Sequence, residues 1–177
     1  MAVPQESDGR IEILAQKYEF KLHYTGIGML AAAQKTTEVI INEKPSHIIN
    51  LGTAGSRHLE IGELVECVLF KNRTAQIDSK LDQYIKAQAI TELKQLDCGS
   101  ADYIDYSENA NDFQILDMEA YAIALVCHKT NIRFNSIKYI TDDSKDNVSH
   151  KWREQLPLAA IKLSEYLEKL IQTKVLT

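Results

Sequence analysis

The sequence predicts an α/β fold built on a largely parallel or mixed sheet. Three observations carry that prediction. Compact apolar strands at 47–51 and 134–140 each run into a turn of small or polar residues. Stretches of helical composition, at 30–42 and after Met118, separate the strands. An amphipathic helix at 151–173 closes the chain. Strands alternating with helices are the pattern of a sheet covered by helices.

The 177 residues suit one domain, 1–177, and 45% apolar composition is enough for a real core. A net charge of −5 without a basic cluster argues against nucleic acid as a partner. The three cysteines, Cys67, Cys98 and Cys127, are widely spaced and form no CxxC pair. An odd, scattered set of this kind predicts reduced thiols in the cytoplasm, with neither a disulfide framework nor a zinc site. No apolar run reaches the roughly 18 residues of a membrane span. The first seven residues lack a charged n-region and a long apolar run, so no signal peptide is expected.

In chain order, residues 2–4 read as the end of a short strand with Glu6 at its carboxyl end. Ligands bind at that edge in open α/β sheets, although a terminal Glu can equally be solvated. Residues 11–16 and 18–24 read as two further short strands, the second from its alternation of Tyr18, Phe20, Leu22 and Tyr24 with Glu19, Lys21 and His23. Thr25-Gly26-Ile27-Gly28-Met29 then turns into the helical stretch 30–42. A strand, a Gly-x-Gly turn and a helix can bring backbone N–H groups against an anion or sugar, but the third glycine of a dinucleotide fingerprint is missing.

Pro45 ends that helix, and strand 47–51 runs into Gly52-Thr53-Ala54-Gly55-Ser56, a second turn of small residues. Small side chains there let a ligand approach the backbone. Gly62-Glu63 turns into a strand at 64–70. Residues 71–79 carry no clear pattern, 80–95 have helical spacing of Leu81, Tyr84, Ile85 and Ala89, 98–104 read as a turn before an extended piece, and 107–112 as a polar loop.

Residues 116–127 read as the start of a buried, alanine-rich helix that opens with Asp117-Met118-Glu119. Two carboxylates two residues apart cannot share a helix face. They either complement the helix dipole or present a carboxylate to ligand hydroxyls. The strand at 134–140 ends in Thr141-Asp142-Asp143-Ser144-Lys145-Asp146-Asn147. That turn lacks the Gly and terminal Glu of an EF-hand, so no metal is expected, while Asp142 directly after a strand can point at the ligand edge. Trp152, Leu156, Ala159, Ala160, Leu163, Tyr166, Leu167 and Leu170 form an apolar stripe, read as core or subunit interface.

The stations Glu6, Gly26-Ile27-Gly28, Gly52-Thr53-Ala54-Gly55, Asp117-Met118-Glu119 and Ile140-Thr141-Asp142 together resemble the nucleoside phosphorylase/nucleosidase superfamily. The resemblance is nearest to methylthioadenosine/S-adenosylhomocysteine nucleosidases and spans nearly the whole chain. It implies a three-layer nucleoside phosphorylase-like fold, with a central mixed, twisted sheet flanked by helices. It implies hydrolysis of a purine nucleoside, no cofactor, and a homodimer or higher homo-oligomer.

Residue by residue, the resemblance makes Asp142 the general acid toward the purine, with Thr141 in place of the family's serine. Glu6 is the base that positions the attacking water. Glu119 holds the ribose hydroxyls and Met118 packs under the sugar. Thr53, Ala54 and Gly55 lie beside base and sugar, Tyr103 stacks on the base with Ile104 next to it, and Ile27 belongs to the Gly-Ile-Gly turn. These residue types suit a reaction that puts positive charge on the sugar and negative charge on the leaving base. Burial and the neighbouring Asp143 would favour the protonated acid at Asp142.

The chain departs from the pattern in a short segment before Glu6 and a short 71–98 region without the family's His-Asp-x-Asp loop. Phosphorolysis is the alternative, with Arg57 after the small-residue turn as the candidate anion ligand. A nucleoside-binding protein without turnover is the further one.

Overall fold

The computed structural model describes residues 1–74, 84–104 and 112–176. A 3₁₀ turn, Pro4–Glu6, precedes α1 (Arg10–Tyr18) and α2 (Met29–Glu43). Then follow β1 (His47–Gly55), β2 (Leu64–Asn72), β3 (Ile85–Lys86), β4 (Lys94–Ser100) and β5 (Ile115–Asp117). Helix α3 (Ala120–Lys129), β6 (Arg133–Asp142) and α4 (Val148–Gln172) complete the described chain.

The strands form one mixed sheet in the order β3-β2-β4-β5-β1-β6. Strands β1 and β6 run parallel from His47↔Arg133 onward, as do β2 with β4 and β4 with β5. Strand β2 also pairs antiparallel with β6, from Leu64↔Tyr139 to Cys67↔Ser136. That extra pairing closes β2, β4, β5, β1 and β6 into a ring, which satisfies backbone groups that an open edge would expose.

Two apolar cores lie on the two faces of the sheet. On one, Ala32 of α2 and Ala120, Ile123 and Cys127 of α3 pack against Phe70, Cys98 and Phe134. The Phe70 and Phe134 rings meet edge to face at 5.2 Å. On the other, Ile11 and Leu14 of α1 and Leu163, Leu167 and Leu170 of α4 cover Leu51, Ile137 and Tyr139. The result is the expected three layers, with helices on both faces. Strand β6 is buried from Phe134 to Asp142. Its polar members therefore need partners: Asn135 donates to Glu66, Ser136 to Asn50, and Lys138 pairs with Asp117.

Several expectations are corrected at the element level. Residues 2–4 form no strand; the chain enters a 3₁₀ turn with Pro at its start, where a missing N–H costs nothing. Residues 11–16 lie in α1, which buries Ile11 and Leu14, three apart on one helical face. Glu19, at φ 57, ends that helix. Residues 19–24 carry no sheet pairing, yet Phe20, Leu22 and Tyr24 pack onto the α1/α4 core, so their alternation reflects one-sided burial of an extended segment. The Gly-Thr-Ala-Gly stretch continues β1 and ends in a bulge at Ala54/Gly55.

Of the helix expected at 80–95, residues 80–83 lie outside the described residues, Ile85–Lys86 are β3, and Lys94 and Gln95 begin β4. Of the turn and extended piece expected at 98–104, residues 98–100 are the end of β4, and 101–104 carry no strand. The loop expected at 107–112 lies outside the described residues up to 111. Helix α3 starts at Ala120 and not at Met118, because Ile115–Asp117 is a strand. The Asp-Met-Glu motif is the hinge between strand and helix.

Candidate active site

The carboxyl ends of β1, β5 and β6 meet the 3₁₀ turn and the first turn of α4 around a cleft of about 250 Å³. Glu6, Ile27, Thr53, Ala54, Gly55, Tyr103, Ile104, Met118, Glu119, Thr141 and Asp142 all line it. Stations spread over most of the sequence thus converge on one surface.

Glu6 is buried and both of its carboxylate oxygens accept hydrogen bonds. Oε1 accepts the Thr53 N–H at 2.8 Å and the Thr53 hydroxyl at 2.7 Å. Oε2 accepts the N–H groups of Ala2 at 2.8 Å and Val3 at 3.3 Å. The 3₁₀ turn makes this possible by curling Glu6 back over its own preceding backbone. A side chain on Gly52 would put its Cβ 3.2 Å from Glu6 Oε1, so the bare strand is what admits the carboxylate.

Glu119 sits at the start of α3 and accepts the Gly28 N–H at 2.8 Å on Oε1. The Gly-Ile-Gly turn therefore directs an N–H at a protein carboxylate. Burial, reinforced by the nearby Asp117 charge, pushes the Glu119 carboxyl up to about 7. Asp117 lies beneath the cleft and is ion-paired with Lys138 at 2.8 Å. It also accepts the Ser100 hydroxyl at 2.5 Å and the Ala120 N–H at 2.9 Å. Burial opposes its charge, but Lys138 and these donors hold its carboxyl below the ordinary value. Lys138 is likewise opposed by burial and raised on balance by Asp117.

Asp142 ends β6. Its Oδ1 accepts the Ser144 N–H at 2.9 Å and the Ser144 hydroxyl at 3.3 Å, and its Oδ2 the Thr141 hydroxyl at 2.9 Å. The Thr141 oxygen also lies 3.2 Å from the Ala54 carbonyl. Asp143, next in the chain, turns to an ion pair with Lys151 at 2.8 Å. A Cβ on Gly55 would lie 2.6 Å from Asp142 Oδ1 and closer still to Ser144 Oγ. The glycine is what lets the acid and its cradle fold over the strand.

Tyr103 and Ile104 stand at the rim, 49% and 38% exposed. The Arg73 guanidinium lies 5.5 Å from the Tyr103 ring centre, and its Nε donates to the Gly99 carbonyl at 3.1 Å. Arg57 donates from Nε and Nη2 to the Ser144 carbonyl, at 3.3 and 3.1 Å.

Sequence reasoning missed four contributors. Lys138 had a signal, a lysine inside an otherwise buried strand, which a buried carboxylate must answer. Trp152, assigned to the core stripe, lines the cleft and donates its indole N–H to Thr53 Oγ1 at 2.9 Å. Ser144 was lost in a turn read as solvated. Arg73 lines the cleft from a stretch in which no element was recognised. Among the described residues, no group of three His, Cys, Asp or Glu side chains is placed to hold a metal ion.

Residues 73–172 match the family model described as the phosphorylase superfamily. A 5′-methylthioadenosine/S-adenosylhomocysteine nucleosidase of Haemophilus influenzae is 27% identical over 168 residues, covering 77% of this chain and 73% of that protein. The crystal structure of a nucleosidase of the same name from Helicobacter pylori superposes with a TM-score of 0.84 at 16% identity, covering 97% of this chain and 95% of that one. The futalosine hydrolase of Helicobacter pylori gives 0.83 at 16% identity, with the same coverage of 97% and 95%. At such identities the two structures speak to the fold.

Proposed function

The chain belongs to the phosphorylase superfamily, and from that premise we propose that it hydrolyses the N-glycosidic bond of a purine nucleoside, of the methylthioadenosine/S-adenosylhomocysteine type. The convergence of Glu6, Glu119 and Asp142 on one cleft carries this reading. The whole chain, 1–177, acts as the one catalytic domain.

The base stacks on Tyr103, and the ribose lies over Met118 with its hydroxyls on the Glu119 oxygen left open by Gly28. As the C1′–N bond lengthens, positive charge grows on the sugar and negative charge on the purine. Glu119 and Glu6 offset the first. Asp142 neutralises the second by giving a proton to the base. A water adds to C1′ and loses a proton to Glu6, through Oε2, whose bond from Val3 is the longest of the four. Solvent then returns a proton to Asp142 and removes one from Glu6.

Thr141 suits an acid that must exist in two protonation states. It can donate to the Asp142 carboxylate, or donate to the Ala54 carbonyl and accept from protonated Asp142. Phosphorolysis is disfavoured because Arg57 directs two of its N–H groups at the Ser144 carbonyl and Arg73 lies against Gly99 and Tyr103.

Exposed Ile27 and Leu30 beside the rim residues Tyr103 and Ile104 support a homodimer that covers the cleft mouth. A monomer by light scattering would count against it. Three unpaired, buried cysteines support a cytoplasmic setting, where the reaction would serve purine salvage.

The test is incubation with methylthioadenosine, S-adenosylhomocysteine, adenosine and inosine, with and without phosphate. Free base released equally in both conditions, and lost in Asp142→Asn, is expected. Release only with phosphate would favour the phosphorylase reading. Binding without release would favour a binding protein.

A further inference from the structure

Trp152 sits one turn into α4, whose first turn already holds the loop after Asp142 through the Asp143–Lys151 ion pair. Its indole nitrogen can only donate. It does so to Thr53 Oγ1 at 2.9 Å. The Thr53 hydroxyl has one proton, and with its oxygen accepting from Trp152 that proton goes to Glu6 Oε1, 2.7 Å away. The Thr53 backbone N–H supports the same oxygen at 2.8 Å. The chain of bonds therefore has one direction, from indole to hydroxyl to carboxylate.

Resting on the reading of Glu6 as the base for water, we propose that Trp152 is a positioning residue for Glu6. By donating to Thr53 it fixes the hydroxyl proton on Glu6 Oε1, which holds the carboxylate in one orientation and leaves Oε2, which accepts the longer bond from Val3, as the oxygen that meets the water. With the indole on its oxygen, the Thr53 hydroxyl has its proton directed at Oε1, so the relay orients the carboxylate in a buried site, where such bonds matter most. It also ties the water side of the cleft to the helical turn that holds the acid side. The sequence alone reads Trp152 as one more member of an apolar stripe, and a phenylalanine would fill that role equally well.

Trp152→Phe separates the two roles, since it keeps an aromatic ring and removes the donor. Loss of one buried hydrogen bond between neutral groups corresponds to up to about a tenfold effect. The expectation is about a tenfold fall in kcat with KM within about twofold. Thr53→Val should give a similar fall, and the double variant no further loss, because both act through one relay. A second readout does not need turnover. Trp152 is the chain's one tryptophan, so its indole N–H proton resonance is unique, and it should move in Glu6→Gln and in Thr53→Val.

Wild-type rates in Trp152→Phe, or an indole resonance unmoved by Glu6→Gln, would overturn the proposal and leave Trp152 as packing. A parent protein that releases no base would count against the nucleosidase reading. The indole resonance would still decide the relay.

Discussion

Lys138 Nζ lies 2.8 Å from Asp117 Oδ2, and at most 2% of either side chain reaches solvent. The pair sits under the Asp-Met-Glu hinge and joins β6 to the start of α3. Two charges removed from water together tolerate burial; one alone does not. Asp117→Asn should therefore cost about 3–5 kcal/mol of stability in chemical denaturation, because Lys138 is left without its counter-charge. Replacing both, as Asp117→Leu with Lys138→Met, should recover most of that loss. A single variant with stability within about 0.5 kcal/mol of the parent would contradict the account.

Glu119 makes stability depend on pH in the opposite sense to an ordinary ion-paired carboxylate. Its folded value of about 7 lies above the ordinary 4.5, so the native state binds the proton more tightly than the unfolded chain. The stabilising contribution is complete below about 4.5 and is lost as pH rises through about 7. That interval corresponds to roughly 3 kcal/mol. Glu119→Gln, which keeps the shape and cannot ionise, should flatten this part of the stability–pH curve. An unchanged slope between about pH 5 and 8 would show that the buried charge is compensated by other means.

Gly55→Ala should lower activity by about a hundredfold or more while leaving the fold intact. Its Cβ would lie 2.6 Å from Asp142 Oδ1, and the acid and Ser144 can yield only by moving away from the base. A displacement near 1 Å at a reacting group is of the order that costs a hundredfold. Steady-state rates beside far-ultraviolet circular dichroism would check it. Near-parental activity would mean the acid has slack that the packing does not suggest.

The β1, β6 and α4 elements were legible because long apolar runs and helical periodicity leave few alternatives, and part of the candidate site because Thr53–Gly55 and Thr141–Asp142 end β1 and β6. Residues 2–24 were misread for a physical reason. Ile11 and Leu14 fit a helix spacing, but residues 18–24 alternate like a strand while packing on a core without any sheet partner. Gly52 to Gly55 looked like a turn because small residues usually break strands. Here they are a strand kept bare so that Glu6, Asp142 and Ser144 can press against it. Lys138 and Trp152 escaped notice because their roles depend on partners far away in sequence, Asp117 and Thr53, which only the closed sheet brings within reach.

The most direct test of water as the nucleophile is to run the reaction in H₂¹⁸O and weigh the sugar product by mass spectrometry. One ¹⁸O at C1′, formed at the same rate with and without phosphate and abolished by Glu6→Gln, is the result expected. A sugar 1-phosphate as the first product, without the label at C1′, would contradict the assignment of Glu6 to a water molecule.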